Sequence, residues 1–303
     1  MMGYLQQSPS GIADTNKFSF SAWARLPSET KPPSSTTNHS INLFMFGDPT
    51  QRFSVVRLYG NIENLYGFNQ FGLNANFFSG NYNDGGFNFY NQIWNAANGN
   101  GSTRQTPFSF GAWHHIFIAI DVSPSFAYWL GPGYPKTYYP FWMFQDGVSC
   151  GWQDAGYAEP GVDGSIYAYQ GGGNPPNQAP GHGSTKFFVN GGGISLRQYN
   201  GDSPPAGIFY PDTFTTAVEF ADVQAWFGTF INPSIPDNFS KFVKITGSTG
   251  TPADPSVAAS AFGQPSILFK GKASDSTFFI NNGTGGAFAK TGTVIDFTPG
   301  PSY

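Results

Sequence analysis

The stretch Trp113-His114-His115-Ile116-Phe117-Ile118-Ala119-Ile120-Asp121 decides the fold class. It is rich in β-branched and aromatic residues and contains neither Gly nor Pro. Gly111 and Ala112 precede it, and Ser123 and Pro124 follow closely. That pattern is the signature of a strand. The same chemistry recurs along the chain in short runs bounded by Gly, Asn, Asp or Pro. Phe18-Ser19-Phe20-Ser21-Ala22-Trp23-Ala24-Arg25 alternates, so Phe18, Phe20, Ala22 and Ala24 share one face and Trp23 takes the other. Further strands are expected at Ile41–Phe46, Phe53–Tyr59, Gly72–Phe78, Gly86–Tyr90, Tyr139–Phe144, Lys186–Val189, Ile194–Tyr199, Val218–Trp226, Phe242–Ile245, Ile267–Phe269 and Phe278–Ile280. Helical signals are almost absent, because Gly and Pro recur too often for long helical periods. Many strands at short spacing predict an all-β sandwich or barrel of antiparallel strands.

Composition agrees. The 303 residues include 39 Gly, 24 Pro, 32 Phe, 15 Tyr and 7 Trp, and 18% are aromatic, so a large core is affordable. Only 11% are charged, against about 25% in an ordinary soluble domain. Such a surface suits a subunit covered by neighbours, or a secreted and weakly charged β-protein. The net charge is −4 and the Lys and Arg are scattered singly, which argues against nucleic acid as a partner. Cys150 stands alone, so no intrachain disulfide and no zinc-type spacing arises. The start Met1-Met2-Gly3-Tyr4-Leu5-Gln6 is not that of a signal peptide. No apolar run reaches the roughly 20 residues of a membrane span. Synthesis in a cytoplasm is expected, with no membrane partner.

Two segments do not read as strands. Pro27 to Asn38 is a Pro/Ser/Thr-rich loop. Ser123 to Thr185 is a long Gly/Pro/aromatic excursion, and long loops are usually functional or poorly ordered. Its Tyr134, Tyr138, Tyr139, Trp142, Trp152 and Tyr157 are the candidate residues for contact with a glycan or a protein partner. They offer flat faces to sugar rings, or they fix the insertion to the sandwich or a neighbouring subunit. Residues 1–250 are assigned to the sandwich, with the insertion at about 123–185. Residues 251–303 are assigned to an extended C-terminal arm, packing on the sandwich or on a neighbour.

Four stretches carry a family likeness in a fixed order. Phe18–Arg25 resembles the first strand of concanavalin-A-like, laminin-G-like jelly rolls. Gly111–Asp121 resembles their Trp-His-His-hydrophobic strand. Trp142-Met143-Phe144-Gln145-Asp146-Gly147 is similar to the strand and turn that follow it. Val218-Glu219-Phe220-Ala221-Asp222-Val223-Gln224-Ala225-Trp226 resembles a late strand of the family. The segment Ile267-Leu268-Phe269-Lys270-Gly271, with Asn281-Asn282-Gly283-Thr284-Gly285-Gly286-Ala287-Phe288, resembles the C-terminal part of laminin-G-like virion proteins of tailed bacteriophages. The insertion after Asp121 is longer than the family's usual hairpin. The resemblance implies a concanavalin-A-like jelly-roll β-sandwich with a long insertion and an extended C-terminal arm. It also implies a non-enzymatic virion structural protein (capsid decoration, head fibre or tail-associated), a homo-oligomer located in the virion that contacts other virion proteins. The alternative is a carbohydrate-binding adhesin for host-surface glycans, and the third reading is a glycoside hydrolase.

No catalytic, cofactor-binding or metal residue is assigned from the sequence. Glu219 and Asp222 are three apart and face opposite sides of a regular strand, whereas retaining hydrolysis needs two carboxylates about 5–5.5 Å apart. Asp222 is expected to make local hydrogen bonds. His114 and His115 are adjacent and cannot share one ion from a regular strand. His39 and His182 lack metal-like spacing. The triplets Gly171-Gly172-Gly173 and Gly191-Gly192-Gly193 open no helix and read as turns. Calcium remains an option through the family, with Asp48, Asp84, Asp146, Asp154 and Asp163 at turns or in the insertion. No ligand set is assigned to it, since turns also use Asp.

Overall fold

A computed structural model describes residues 4–7, 12–13, 15–27, 38–48, 52–61, 72–76, 108–121, 126–129, 135–149, 165–168, 193–196, 218–233, 235–246, 249–272 and 280–291. In chain order the elements begin with strands β1 (Tyr4–Gln7), β2 (Lys17–Arg25), β3 (Asn38–Asp48), β4 (Arg52–Asn61), β5 (Gly72–Asn76) and β6 (Trp113–Asp121). Next come β7 (Phe126–Trp129), β8 (Pro135–Gln145), β9 (Val148–Ser149), β10 (Ser165–Ala168), β11 (Gly193–Leu196) and β12 (Glu219–Phe227). The C-terminal part holds α1 (Pro236–Phe239), β13 (Val243–Thr246), β14 (Thr249–Pro252), α2 (Pro255–Phe262), β15 (Ile267–Lys272) and β16 (Ala289–Thr291). The class is all-β, with antiparallel pairing between the strands.

The larger sheet has the order β10-β8-β6-β2-β12-β15, with β7 and β9 also paired to β8. The smaller has the order β16-β1-β11-β3-β4-β5. Strands β2 and β6 form the centre of the larger sheet in an unbroken register from Lys17↔Asp121 to Arg25↔Trp113. Alternation then sorts the side chains. Phe18, Phe20, Ala22 and Ala24 meet Ile116, Ile118 and Ile120 in a core shared with Ile41, Leu43, Phe44, Phe46, Val56 and Leu58 of the smaller sheet. Phe18 and Phe20 stack on Phe44 at 6.0 and 4.8 Å. Each such buried side chain is worth about 1.5–3 kcal/mol.

The opposite face of the larger sheet is buried too. Trp23, Phe117, Ala119, Ala221 and Trp226 form a second core with Ile231, Phe239, Phe242, Val243 and Ala258. The segment from Ile231 to Phe262 therefore lies over β2, β6 and β12 as a cover. Trp226 Nε1 donates to the Gly263 carbonyl oxygen at 2.8 Å, and Phe242 stacks on Phe262 at 5.8 Å. Helix α2 starts with Asp254, whose side chain accepts from the Ser256 backbone N–H at 2.8 Å, and has Pro at its first turn. Both are standard start signals. That contact to the Ser256 N–H holds the Asp254 carboxyl below its ordinary value.

Two expectations need correction. Helices are present, because Pro236 and Pro255 open short helices where their missing N–H costs nothing. The excursion Ser123–Thr185 holds more than the one strand expected at Tyr139–Phe144: β7, β8, β9 and β10 all lie in it. Its aromatic and Thr residues sustain pairing through Pro140, opposite Ser165. The strands expected at Gly86–Tyr90 and Lys186–Val189 lie outside the described residues. After residue 250, β15 pairs with β12 and β16 pairs with β1, so this part of the chain contributes a strand to each sheet.

The turn after Ile280 is fixed by one side chain. Asn281 Oδ1 accepts from the N–H groups of Leu268 and Gly283, at 2.8 and 3.0 Å, and Nδ2 donates to the carbonyls of Ser266 and Gly286, at 3.2 and 2.7 Å. Backbone approaches so closely that a Cβ at Gly283 would lie 2.5 Å from the Ser266 carbonyl oxygen. Gly283→Ala is expected to lower stability by about 1–3 kcal/mol, the usual cost of overpacking, measured by urea unfolding.

Candidate functional site

Three polar side chains converge where the β8–β9 turn meets the start of β6. Asp146 and Gly147 both have positive φ, 53° and 76°, the geometry of a tight type I′ hairpin turn. The turn brings Asp146 onto β6: its N–H donates to the His115 carbonyl at 2.9 Å, and its Oδ1 accepts from the His115 N–H at 2.8 Å. Asp146 Oδ2 then lies 2.6 Å from His114 Nδ1. On the other side of the ring, His114 Nε2 lies 2.9 Å from Ser109 Oγ. With the carboxylate accepting from Nδ1–H, Nε2 carries the lone pair that accepts from the Ser109 hydroxyl; the Ser109 carbonyl oxygen lies 3.3 Å from the same nitrogen. The Ser109 backbone N–H, 3.2 Å away, donates to the same nitrogen. His114 is buried and lies 4.4 Å from the Phe108 ring, while Ser109 is exposed.

A second polar group lies on the covered face. His115 is fully buried, with Nε2 2.9 Å from Ser21 Oγ. Trp23, Phe239 and Phe242 surround its ring at 5.2, 5.7 and 6.5 Å. Desolvation pushes its pKa down to about 3, against a smaller upward pull from Asp146. The imidazole is therefore neutral in the fold. His115 Nδ1 and the Oε1 of Gln224, which faces Ser21 across the strand pair, have no partner among the described residues.

The carboxylates considered for glycosidic chemistry are both engaged. Glu219 Oε2 is 2.7 Å from Arg25 Nη1, and Arg25 Nε donates to the Gly111 carbonyl at 2.9 Å. Asp222 stands at a bulge with φ 46°, and its Oδ1 accepts from the Gly271 N–H at 2.7 Å. The bulge replaces the regular alternation assumed from the sequence, and the hydrogen bond of Asp222 is not local as expected but reaches Gly271 on β15. Both oxygens of Asp146, one of the calcium options, are occupied by His114 and His115. Asp84, Asp154 and Asp163 lie outside the described residues. No group of three or more His, Cys, Asp or Glu side chains that could hold a metal ion occurs among the described residues.

The aromatic candidates divide. Trp142 is half-buried on β8, 5.9 Å from Phe144, and packs against the second core. Tyr138 and Tyr139 lie on β8 opposite Tyr167 and Ile166. Tyr134, Trp152 and Tyr157 lie outside the described residues. Sequence reading gave Ser109 no functional role, and it weighed His114 for metal binding or acid–base work and assigned it neither. The available signal was a serine five residues before a histidine, with an Asp-Gly turn one hairpin away.

No family model and no curated protein matches the chain. Among solved structures, an alginate lyase from Chlorella virus is similar, at 10% identity and a TM-score of 0.31, over 73% of this chain and 75% of that one.

That finding corrects the expectation of a non-enzymatic structural protein, since the matched protein is an enzyme. A likeness of this size transfers no reaction, so any chemistry has to come from the residues of this chain.

The buried neutral His115 gives stability a pH slope. Its folded pKa lies below the ordinary 6.5, so the unfolded chain binds the extra proton first. Stability is then full above about pH 6.5 and declines as pH falls toward 3, by at most about 1.4 kcal/mol per pH unit from this group. His115→Gln is expected to flatten the decline in melting temperature between pH 7 and pH 5, followed by calorimetry.

Proposed function

We propose that the chain is a concanavalin-A-like, laminin-G-like jelly roll displayed on a virus particle, and that its partner is a host-surface glycan. One observation carries the reading. The four stretches that resemble the family lie on β8, β6, β2 and β12, which are consecutive neighbours in one sheet. Their adjacency in one sheet supports the resemblance. The Asp146-Gly147 turn also follows its strand directly, as the family pattern has it. The low charge and abundant aromatic residues suit sugar, whose rings stack on flat apolar faces while backbone and amide groups supply hydrogen bonds. Tyr134, Tyr138, Tyr139, Trp142, Trp152 and Tyr157 are the proposed contact residues.

The test is co-sedimentation of the purified chain with a panel of bacterial and algal surface polysaccharides, with the supernatants assayed for new reducing or unsaturated ends. At least one polysaccharide is expected to retain the chain or be cleaved by it. Trp152→Ala is expected to weaken that interaction roughly tenfold, a loss of about 1.4 kcal/mol, with an unchanged melting temperature. A panel that is neither bound nor cleaved overturns the reading.

A further inference from the structure

We infer that Ser109, His114 and Asp146 form a nucleophilic relay for acyl transfer, with an ester as the substrate class. The inference is independent of the glycan reading. An activated serine needs a base within hydrogen-bond reach and a third group that orients the base. Both contacts are present: Ser109 Oγ to His114 Nε2 at 2.9 Å, and His114 Nδ1 to Asp146 Oδ2 at 2.6 Å. The carboxylate favours the proton on Nδ1, and the lone pair of Nε2, which faces both the Ser109 hydroxyl and its backbone N–H, takes the hydroxyl proton. Asp146 is itself held by two backbone hydrogen bonds to His115. The base is thus buried and oriented, and the serine it faces is an exposed residue. A structural clamp between the turn and β6 requires only the His114–Asp146 contact and the two bonds of Asp146 to the His115 backbone. It does not require a serine hydroxyl on Nε2.

The balanced chemistry has two halves. Ser109 Oγ attacks the carbonyl carbon of the ester while its proton passes to His114 Nε2. The bond from that carbon to the leaving oxygen breaks, and the leaving alkoxide takes the proton from Nε2. Water then attacks the acyl-serine, giving its proton to Nε2. The acid is released and Ser109 Oγ recovers the proton. Asp146 is a positioning residue throughout.

The probe is an alkyl fluorophosphonate, applied to the full chain. Ser109 Oγ forms the bond to phosphorus, fluoride leaves, and the hydroxyl proton goes to His114. Peptide mapping is expected to place the adduct on Ser109, and Ser109→Ala to abolish it. The free peptide Phe108–Trp113 supplies the unactivated reference. Ser109 in the folded chain is expected to react at least about a hundredfold faster than in that peptide, the lower end of what a positioned base contributes. For Asp146, the hydrogen-bonded Nδ1 proton of His114 is expected as a far-downfield proton resonance that Asp146→Asn removes. The inference is overturned if Ser109 carries no adduct, if it reacts no faster than in the peptide, or if His114→Gln folds and labels at the wild-type rate.

Discussion

The structure depends on one constraint: the two central strands of the larger sheet are buried on both faces. In β2, Phe18 and Phe20 point one way and Trp23 the other. In β6, Ile116, Ile118 and Ile120 oppose His115, Phe117 and Ala119. A sheet with one solvated face alternates apolar and polar residues. Strand β6 does not, and in β2 Ser19 and Ser21 are buried along with Trp23, so each face is covered. The smaller sheet covers one. The segment from Ile231 to Phe262 covers the other, and β15 then closes the edge beside β12.

That double burial also explains the polar groups. Ser19, Ser21, His115 and Gln224 lie where no water reaches, and buried polar atoms need partners. Ser19 Oγ donates to the Thr229 carbonyl and accepts from the Ile231 N–H, both at 2.9 Å, which fixes the start of the cover. His115 Nε2 pairs with Ser21 Oγ, and burial holds the imidazole neutral. Arg25, Glu219 and Gly111 close the end of the sheet near the relay, while Lys17 and Asp121 pair at the other end at 3.6 Å. The pair joins a half-buried Arg25 to a buried Glu219, so desolvation offsets part of its attraction.

Legibility in the sequence followed locality. Strands β2, β6, β8 and β12 could be read because alternation and boundary residues are local signals. The bulge at Asp222 could not, since it arises from fitting β12 to β2 and β15 together. Within the insertion β7, β9 and β10 were hidden, because strands of two to four residues are too short to show a period. The cover was hidden for a different reason. Pro236 and Pro255 read as breakers, yet both open helices. The Ser109–His114–Asp146 group spans 5 residues on one side and 32 on the other, and only the hairpin register brings the Asp to the His. Adjacent His114 and His115 looked like one question and proved to be two, one at an exposed serine and one beneath the cover.

The central claim is that the cover and the two central strands form one cooperative unit. Amide hydrogen exchange read by mass spectrometry tests it most directly. The account predicts that peptides from Lys17–Arg25, Trp113–Asp121 and Pro255–Lys272 exchange in the slowest class and accelerate together as denaturant is added. Exchange of Pro255–Lys272 on a much faster timescale, with β2 and β6 still protected, would contradict it, because the outer face of the larger sheet would then be stable without its cover.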